Sequence, residues 1–413
     1  MEERALVDVL VIGAGPAGAV AAGLLRQRGL SVRVLEKTRF PRFSIGESLL
    51  PQSLMLLEEA GMLGAVERFG FQYKDGAQIV RGDRKTDFEF SHKICEGYPH
   101  AYQVTRADFD QILADEARRQ GAEVQYEVEI TGADFSAELP SLSCRDAAGR
   151  ESRHRARFVL DASGFGRILP RLLDLDLPAD FPVRASAFIH VEDRIVDADF
   201  DRNKIRVAIH PELEEVWYWL IPFSNGRASI GVVAEDGFMQ SRPGDVTQRL
   251  MGLVAEEPGM RRMLRNAVPL WPQAREIRGY ASAVSSMHGR NFALLGNAGK
   301  FLDPVFSSGV TIALKSASLA APLVQRQLAG EPVDWEAEFS EPLMLGVDTF
   351  QGYVETWYEG HLQSIMLTDR RPPRVYECLC SVLAGYAWDS SNPYVGHSGR
   401  RLRALAQIIR EGG

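Results

Sequence analysis

The most constraining feature of this chain is a glycine turn held between a strand and a helix. Gly13-Ala14-Gly15-Pro16-Ala17-Gly18 follows the apolar run Leu6 to Ile12 and opens a helical stretch from Pro16 to Arg28, which Gly29 closes. A short, nearly continuous apolar run reads as a strand buried on both faces of a parallel sheet. Glycines at 13, 15 and 18 permit the tight turn, close backbone approach to a pyrophosphate and close packing of helix on strand. A second strand, Ser31 to Glu36, ends on an acid 18 residues beyond Gly18, which completes a βαβ unit. The helix N-terminus then faces the phosphates, and Glu36 accepts hydrogen bonds from ribose hydroxyls while disfavouring a 2′-phosphate. The unit predicts a bound dinucleotide, FAD or NAD.

The other elements set the fold class. With 413 residues the chain exceeds what one hydrophobic core usually covers, so two lobes are expected. Helical periodicity over Thr105 to Gly121 leads into one strand over Val124 to Ile130, and Phe158 to Gly164 reads as a further buried strand running into a glycine turn. Residues 185–233 are rich in short β runs with turn signals between them, Phe292 to Gly299 returns to a strand and glycine turn, and a helix spans Ser308 to Leu328. The expectation is an α/β protein in which a Rossmann-type, doubly wound dinucleotide domain (1–75, 100–180 and 275–330) is interleaved with a β-sheet substrate domain (76–99 and 181–274). A helical C-terminal segment (331–413) follows.

Composition excludes several classes. Hydrophobic residues at 45% and charged residues at 25% are ordinary for a globular chain, against a disordered, fibrous or membrane-bundle protein. The 47 Lys and Arg against 55 Asp and Glu leave no basic footprint for nucleic acid or an anionic membrane. Cys95, Cys144, Cys378 and Cys380 form neither a disulfide framework nor a zinc pattern, so no metal is expected and a reducing, cytoplasmic setting fits. Glu2, Glu3 and Asp8 ahead of the first apolar run are not the basic start of a signal peptide.

Later segments narrow the reading by resemblance. Val104-x-Arg106-x-x-Phe109-Asp110-x-x-Leu113, Asp161-x-Ser163-Gly164 and Gly296-Asn297-Ala298 with Pro304 resemble the successive signatures of the FAD-dependent monooxygenase superfamily. Trp217-Tyr218-Trp219-Leu220-Ile221-Pro222 matches the W-x-W-x-I-P motif of flavin-dependent halogenases. Residue types alone equally allow a core strand, with Trp217, Trp219 and Ile221 on one face and Pro222 ending the ladder. Gly70-Phe71-x-x-Lys74-x-Gly76-Ala77 resembles the halogenase branch acting on phenols, pyrroles and carrier-bound aryl groups. Phe301-x-x-Pro304-x-x-Ser307-x-Gly309 fits a further halogenase pattern.

The resemblance implies a catalytic Lys74, although a lysine beside Asp75 reads by itself as a solvated surface charge. It implies FAD contacts from Gly13, Gly15, Ala17, Gly18, Glu36, Lys37, Arg42, Ser48, Arg106, Asp161, Gly296, Asn297, Pro304, Gly309 and Val310. Backbone N–H groups at Ser308 and Gly309 can form a small anion nest for chloride or bromide, or can serve the flavin's pyrimidine edge. The implied activity is a halogenase using reduced FAD, which chlorinates or brominates an electron-rich aromatic, free or carrier-tethered, through a flavin hydroperoxide and hypohalous acid. A separate NAD(P)H flavin reductase would supply the reduced flavin. No counterpart of the tryptophan-halogenase substrate-side Glu is found after Pro304, which sets free tryptophan aside. The alternative is a related monooxygenase or dehydrogenase without halide use.

Overall fold

The computed structural model describes residues 2–179 and 181–411. Val7–Ile12 and Val32–Glu36 pair in parallel, with Val9 beside Val32 and Ile12 beside Leu35. Glu151–Asp161 joins the other side of Val7–Ile12, Phe292–Leu294 lies beyond it, and Glu123–Tyr126 extends the opposite edge, all in parallel. Parallel neighbours need crossovers, and the helix Pro16–Gln27 covers the sheet packed against the helices Arg106–Arg119 and Ser308–Leu328. Ile12, Glu36, Asp161 and Leu294 therefore end at one edge, where an open sheet of this kind binds its ligand.

One predicted strand breaks. Glu127 takes a left-handed conformation with φ of 63°, and the expected run over Val124 to Ile130 divides there. Glu123–Tyr126 stays in the parallel sheet, while Val128–Asp134 turns away to pair antiparallel with Ser141–Asp146.

The second sheet runs in the order Val268–Pro269, Arg184–Glu192, Arg227–Glu235, Trp217–Pro222, Lys204–Ile209, Gly76–Arg81 and Arg84–Glu89. Its pairs are antiparallel except Lys204–Ile209 with Gly76–Arg81. The period of two separates its faces. Ala185, Ala187, Ile189, Tyr218 and Leu220 pack into a core shared with Leu250, Leu253 and Met260 from the covering helices. Phe188, Trp217, Trp219 and Ile221 face the other way, into the core of the nucleotide lobe. The C-terminal part is helical, with Glu341–Tyr358, Pro373–Leu383 and Ser398–Glu411 as its main elements. Among the described residues no helix is long and apolar enough to cross a membrane, and none form a metal-ligating cluster.

Candidate functional site

Strand ends from the first sheet and the inner face of the second enclose a cavity of about 430 Å³. Gly13, Gly15 and Ala17 line it, but the three glycines of the turn are needed for different reasons. Gly13 has φ of +92°, and a Cβ there would stand 2.7 Å from the Ala162 carbonyl oxygen. A Cβ on Gly18, which does not reach the cavity, would stand 1.9 Å from the Gly13 carbonyl oxygen. A Cβ on Gly15 would meet only the Arg42 guanidinium, at 3.4 Å. The space above Gly15 is therefore not needed by the fold.

The acid at the second strand's end is held firmly. One Glu36 oxygen accepts from the Ala14 N–H at 2.9 Å, and the other accepts from the Thr38 N–H and Oγ1 at 2.9 and 2.7 Å. Lys37 lines the cavity edge while its ammonium pairs with Glu129 at 2.7 Å. Arg42, also in the lining, pairs with Asp110 at 3.2 Å. Arg106 donates twice to Asp110, at 2.7 and 3.0 Å, and once to the Ile45 carbonyl, so it clamps the 39–50 loop onto its own helix. The i, i+4 spacing of Arg106 and Asp110 was a readable signal for that pair. The His190 Nε2–H donates to Glu47 Oε1, 2.5 Å away, and fastens the same loop to the second sheet.

Not every expected residue reaches the cavity. Asp161 is fully buried outside it, accepting from the Ser163 and Leu169 N–H groups at 2.8 and 2.6 Å, and burial raises its pKa. It shapes the strand-to-turn corner, while Ala162, Ser163 and Gly164 supply the lining. Gly296 turns with φ of +52° beneath Ala313, and Asn297 next to it lines the cavity. Pro222 ends the wall strand outside the lining.

At the far end, Asp303 caps the short turn Pro304–Phe306 by accepting from the Val305 N–H at 3.0 Å, and Ser307 takes φ of 56°. Pro304, Ser308, Gly309 and Val310 then line the cavity at the start of the helix Ser308–Leu328, whose N-terminal dipole favours negative charge there. Trp217, Trp219 and Ile221 form the opposing wall. Trp219 lies flat over Gly231, where a Cβ would stand 2.3 Å from the ring, and its Nε1–H donates to Ser229 Oγ at 3.1 Å. The Trp217 Nε1–H donates to the Tyr358 hydroxyl at 2.9 Å, and that hydroxyl donates to Asp303 at 2.9 Å. Tyr280, Tyr358 and Asp303 carry no sequence signal, because they meet only through the fold.

Lys74 lies outside the cavity lining and is 1% exposed, contrary to the solvated charge its sequence neighbours suggest. The strand Gln72–Lys74 pairs with Ala101–Gln103, and Leu49 N–H donates to the Tyr102 carbonyl, which brings the 39–50 loop alongside. Lys74 Nζ donates to the Leu49 carbonyl at 2.8 Å and stands 5.1 Å from the Phe90 ring centre. With no ion pair among the described residues, burial lowers its pKa to about 7. Ser48, the neighbour of Leu49, lines the cavity with a buried Oγ that has no partner.

The site suits a dinucleotide flavin: open room above Gly15, a helix N-terminus at each end and an unpartnered Ser48 hydroxyl. Residues 6–262 match the model of a family described as FAD binding domain. A flavoprotein/dehydrogenase structure from Cytophaga hutchinsonii is 43% identical, with a TM-score of 0.95, covering 99% of this chain and 100% of that one. The tryptophan 2-halogenase of Chondromyces crocatus is 30% identical over 80% of this chain, which spans 63% of that protein's length. The 1H-pyrrole-2-carbonyl-[peptidyl-carrier protein] brominase of Pseudoalteromonas luteoviolacea is 27% identical over 82% of each chain.

Proposed function

This chain is a flavoprotein of the FAD-binding domain family, and from that premise we propose that it is a flavin-dependent halogenase acting on an electron-rich aromatic ring. The observation that carries the reading is Lys74: an amine buried without a counter-ion, directly behind the cavity-lining loop, with its pKa near 7. Reduced FAD, when bound, activates dioxygen for the oxidation of halide to hypohalous acid.

The chain's own residues do the remaining work. N–H groups of Ser308 and Gly309 hold an anion at the helix start, with the flavin's pyrimidine edge as their other possible partner. Trp217, Trp219 and Ile221 keep the aromatic substrate away from the flavin, which prevents direct oxygen transfer to the ring. Lys74 receives the hypohalous acid by hydrogen bond, or as a neutral amine that forms an N–halogen bond and releases water. A pKa near 7 leaves a substantial neutral fraction at neutral pH, which no arginine could provide.

The relatives' names indicate pyrrole tethered to a carrier and tryptophan as rings to try, so an indole returns among the candidates that the sequence reading set aside. The name of the C. hutchinsonii flavoprotein favours a dehydrogenase, which belongs with the second reading, a dehydrogenase or monooxygenase without halide use. The deciding assay supplies a flavin reductase, NADH, FAD, bromide and a panel of phenols, pyrroles, indoles and carrier-tethered aryl groups. The expected product bears bromine's paired-isotope mass signature. Lys74→Ala should keep FAD binding and oxygen uptake but lose that product. Hydroxylated or dehydrogenated product with no bromide requirement would establish the second reading instead.

A further inference from the structure

We propose that Arg184 and Ser186 form a second anion site, at the cavity wall that Ser186 lines, and that it takes a halide. The two residues lie two apart on the strand Arg184–Glu192 and so share its inner face. Arg184 is 6% exposed and Ser186 1% exposed. Ser186 lines the cavity, and its Oγ has no partner. The Arg184 side chain has no hydrogen bond or ion pair among the described residues, and its Nε is buried and unpartnered. Its guanidinium instead lies over the face of Tyr358, 3.4 Å from the ring centre.

Buried guanidinium groups are ordinarily paired, because an isolated charge away from water is costly. The carboxylate nearest in electrostatic terms, Asp303, is already engaged by the Val305 N–H and the Tyr358 and Tyr280 hydroxyls, at 3.0, 2.9 and 3.4 Å. Burial raises the pKa of Asp303, while the Val305 N–H, the Arg184 charge and the two tyrosine hydroxyls act in the opposite direction. Two unsatisfied donor groups of this kind beside a cavity are what a small monoanion needs. Trp217 and Tyr280, which line the same cavity, are fixed by the Tyr358 and Asp303 hydrogen bonds and keep the surroundings apolar. The assignment to halide, and not to a substrate carboxylate, rests on the proposed reaction, which consumes a halide.

The test reads occupancy without turnover. Crystals of the FAD-loaded protein soaked in sodium bromide should show anomalous scattering within hydrogen-bond reach of Arg184 and Ser186. In solution, bromide titration followed by bromine NMR line width should weaken about tenfold or more in Arg184→Met, with FAD affinity unchanged. Ser186→Ala, a smaller change, should weaken it less. Bromide only at Ser308 and Gly309, bromide at neither place, displacement of bromide solely by benzoate with no bromide peak at Arg184, or unchanged binding in both variants would each overturn the assignment. If bromide sits at Arg184 and no halogenated product forms, the proposed reaction fails and the site stands.

Discussion

Lys74 carries the sharpest consequence at the scale of single residues. Its pKa falls from 10.5 to about 7 on burial, so between those values the unfolded chain binds more protons than the folded one. Stability then rises with pH through that window, and the penalty is fully present below about pH 7. A shift of this size corresponds to a penalty on the order of 5 kcal/mol at low pH. Lys74→Met should therefore be more stable than the natural protein near pH 6, with the difference closing as pH approaches 10. Urea unfolding at several pH values measures it, and a difference independent of pH would mean that the amine is not titrating in the folded state. Arg184, Asp303, Tyr280 and Tyr358 are the residues at this scale that sequence reasoning missed. Each is isolated in the chain, and the 119 to 174 positions separating Arg184 from Asp303 and Tyr358 carry no periodic signal that could have joined them.

Among the elements, the turn between Val7–Ile12 and Pro16–Gln27 separates folding from binding. Gly18→Ala would put a methyl group 1.9 Å from the Gly13 carbonyl oxygen, a backbone clash that should destabilise the protein by roughly 2–4 kcal/mol. A Cβ at position 15 meets only the Arg42 guanidinium, at 3.4 Å, so Gly15→Val should fold with near-native Tm yet fail to bind FAD. Thermal melts together with flavin titration distinguish the two, and FAD binding by Gly15→Val would place the pyrophosphate elsewhere. The strand–turn–helix pattern was legible because each piece is local. The break at Glu127 was not, since residues on both sides are compatible with one strand and only the competing partner Ser141–Asp146 draws Val128–Asp134 away.

The molecule as a whole contains one strand-anchored glycine turn of this type, and the sheet edge it serves opens on the cavity already described. Among the described residues there is no second nucleotide lobe from which hydride could reach the flavin. NADH or NADPH should therefore fail to bleach the bound FAD quickly under anaerobic conditions, and added flavin reductase should restore bleaching. Rapid bleaching by either nucleotide alone would favour the dehydrogenase or monooxygenase reading. The interleaving of lobes supports this picture: the 39–50 loop is clamped by Arg106 on one side and by His190 on the other, so flavin cavity and wall are built as one unit.

The sequence alone determined what depends on neighbours in the chain: the βαβ unit, the wall strand with its alternating faces, the turn before the long helix and the motifs that carry the family resemblance. Periodicity and glycine sterics act over a few residues, and a chain read in order preserves them. Tertiary structure decided the charge states and the company each group keeps. Lys74 reads as a surface charge beside Asp75, and becomes a buried amine only because Leu49 and Phe90 close over it. Asp161 carries a family signature, yet folding points its carboxylate into the corner of the turn and away from the cavity. Burial and long-range pairing set desolvation, and desolvation is a property of the packed molecule that no local pattern encodes.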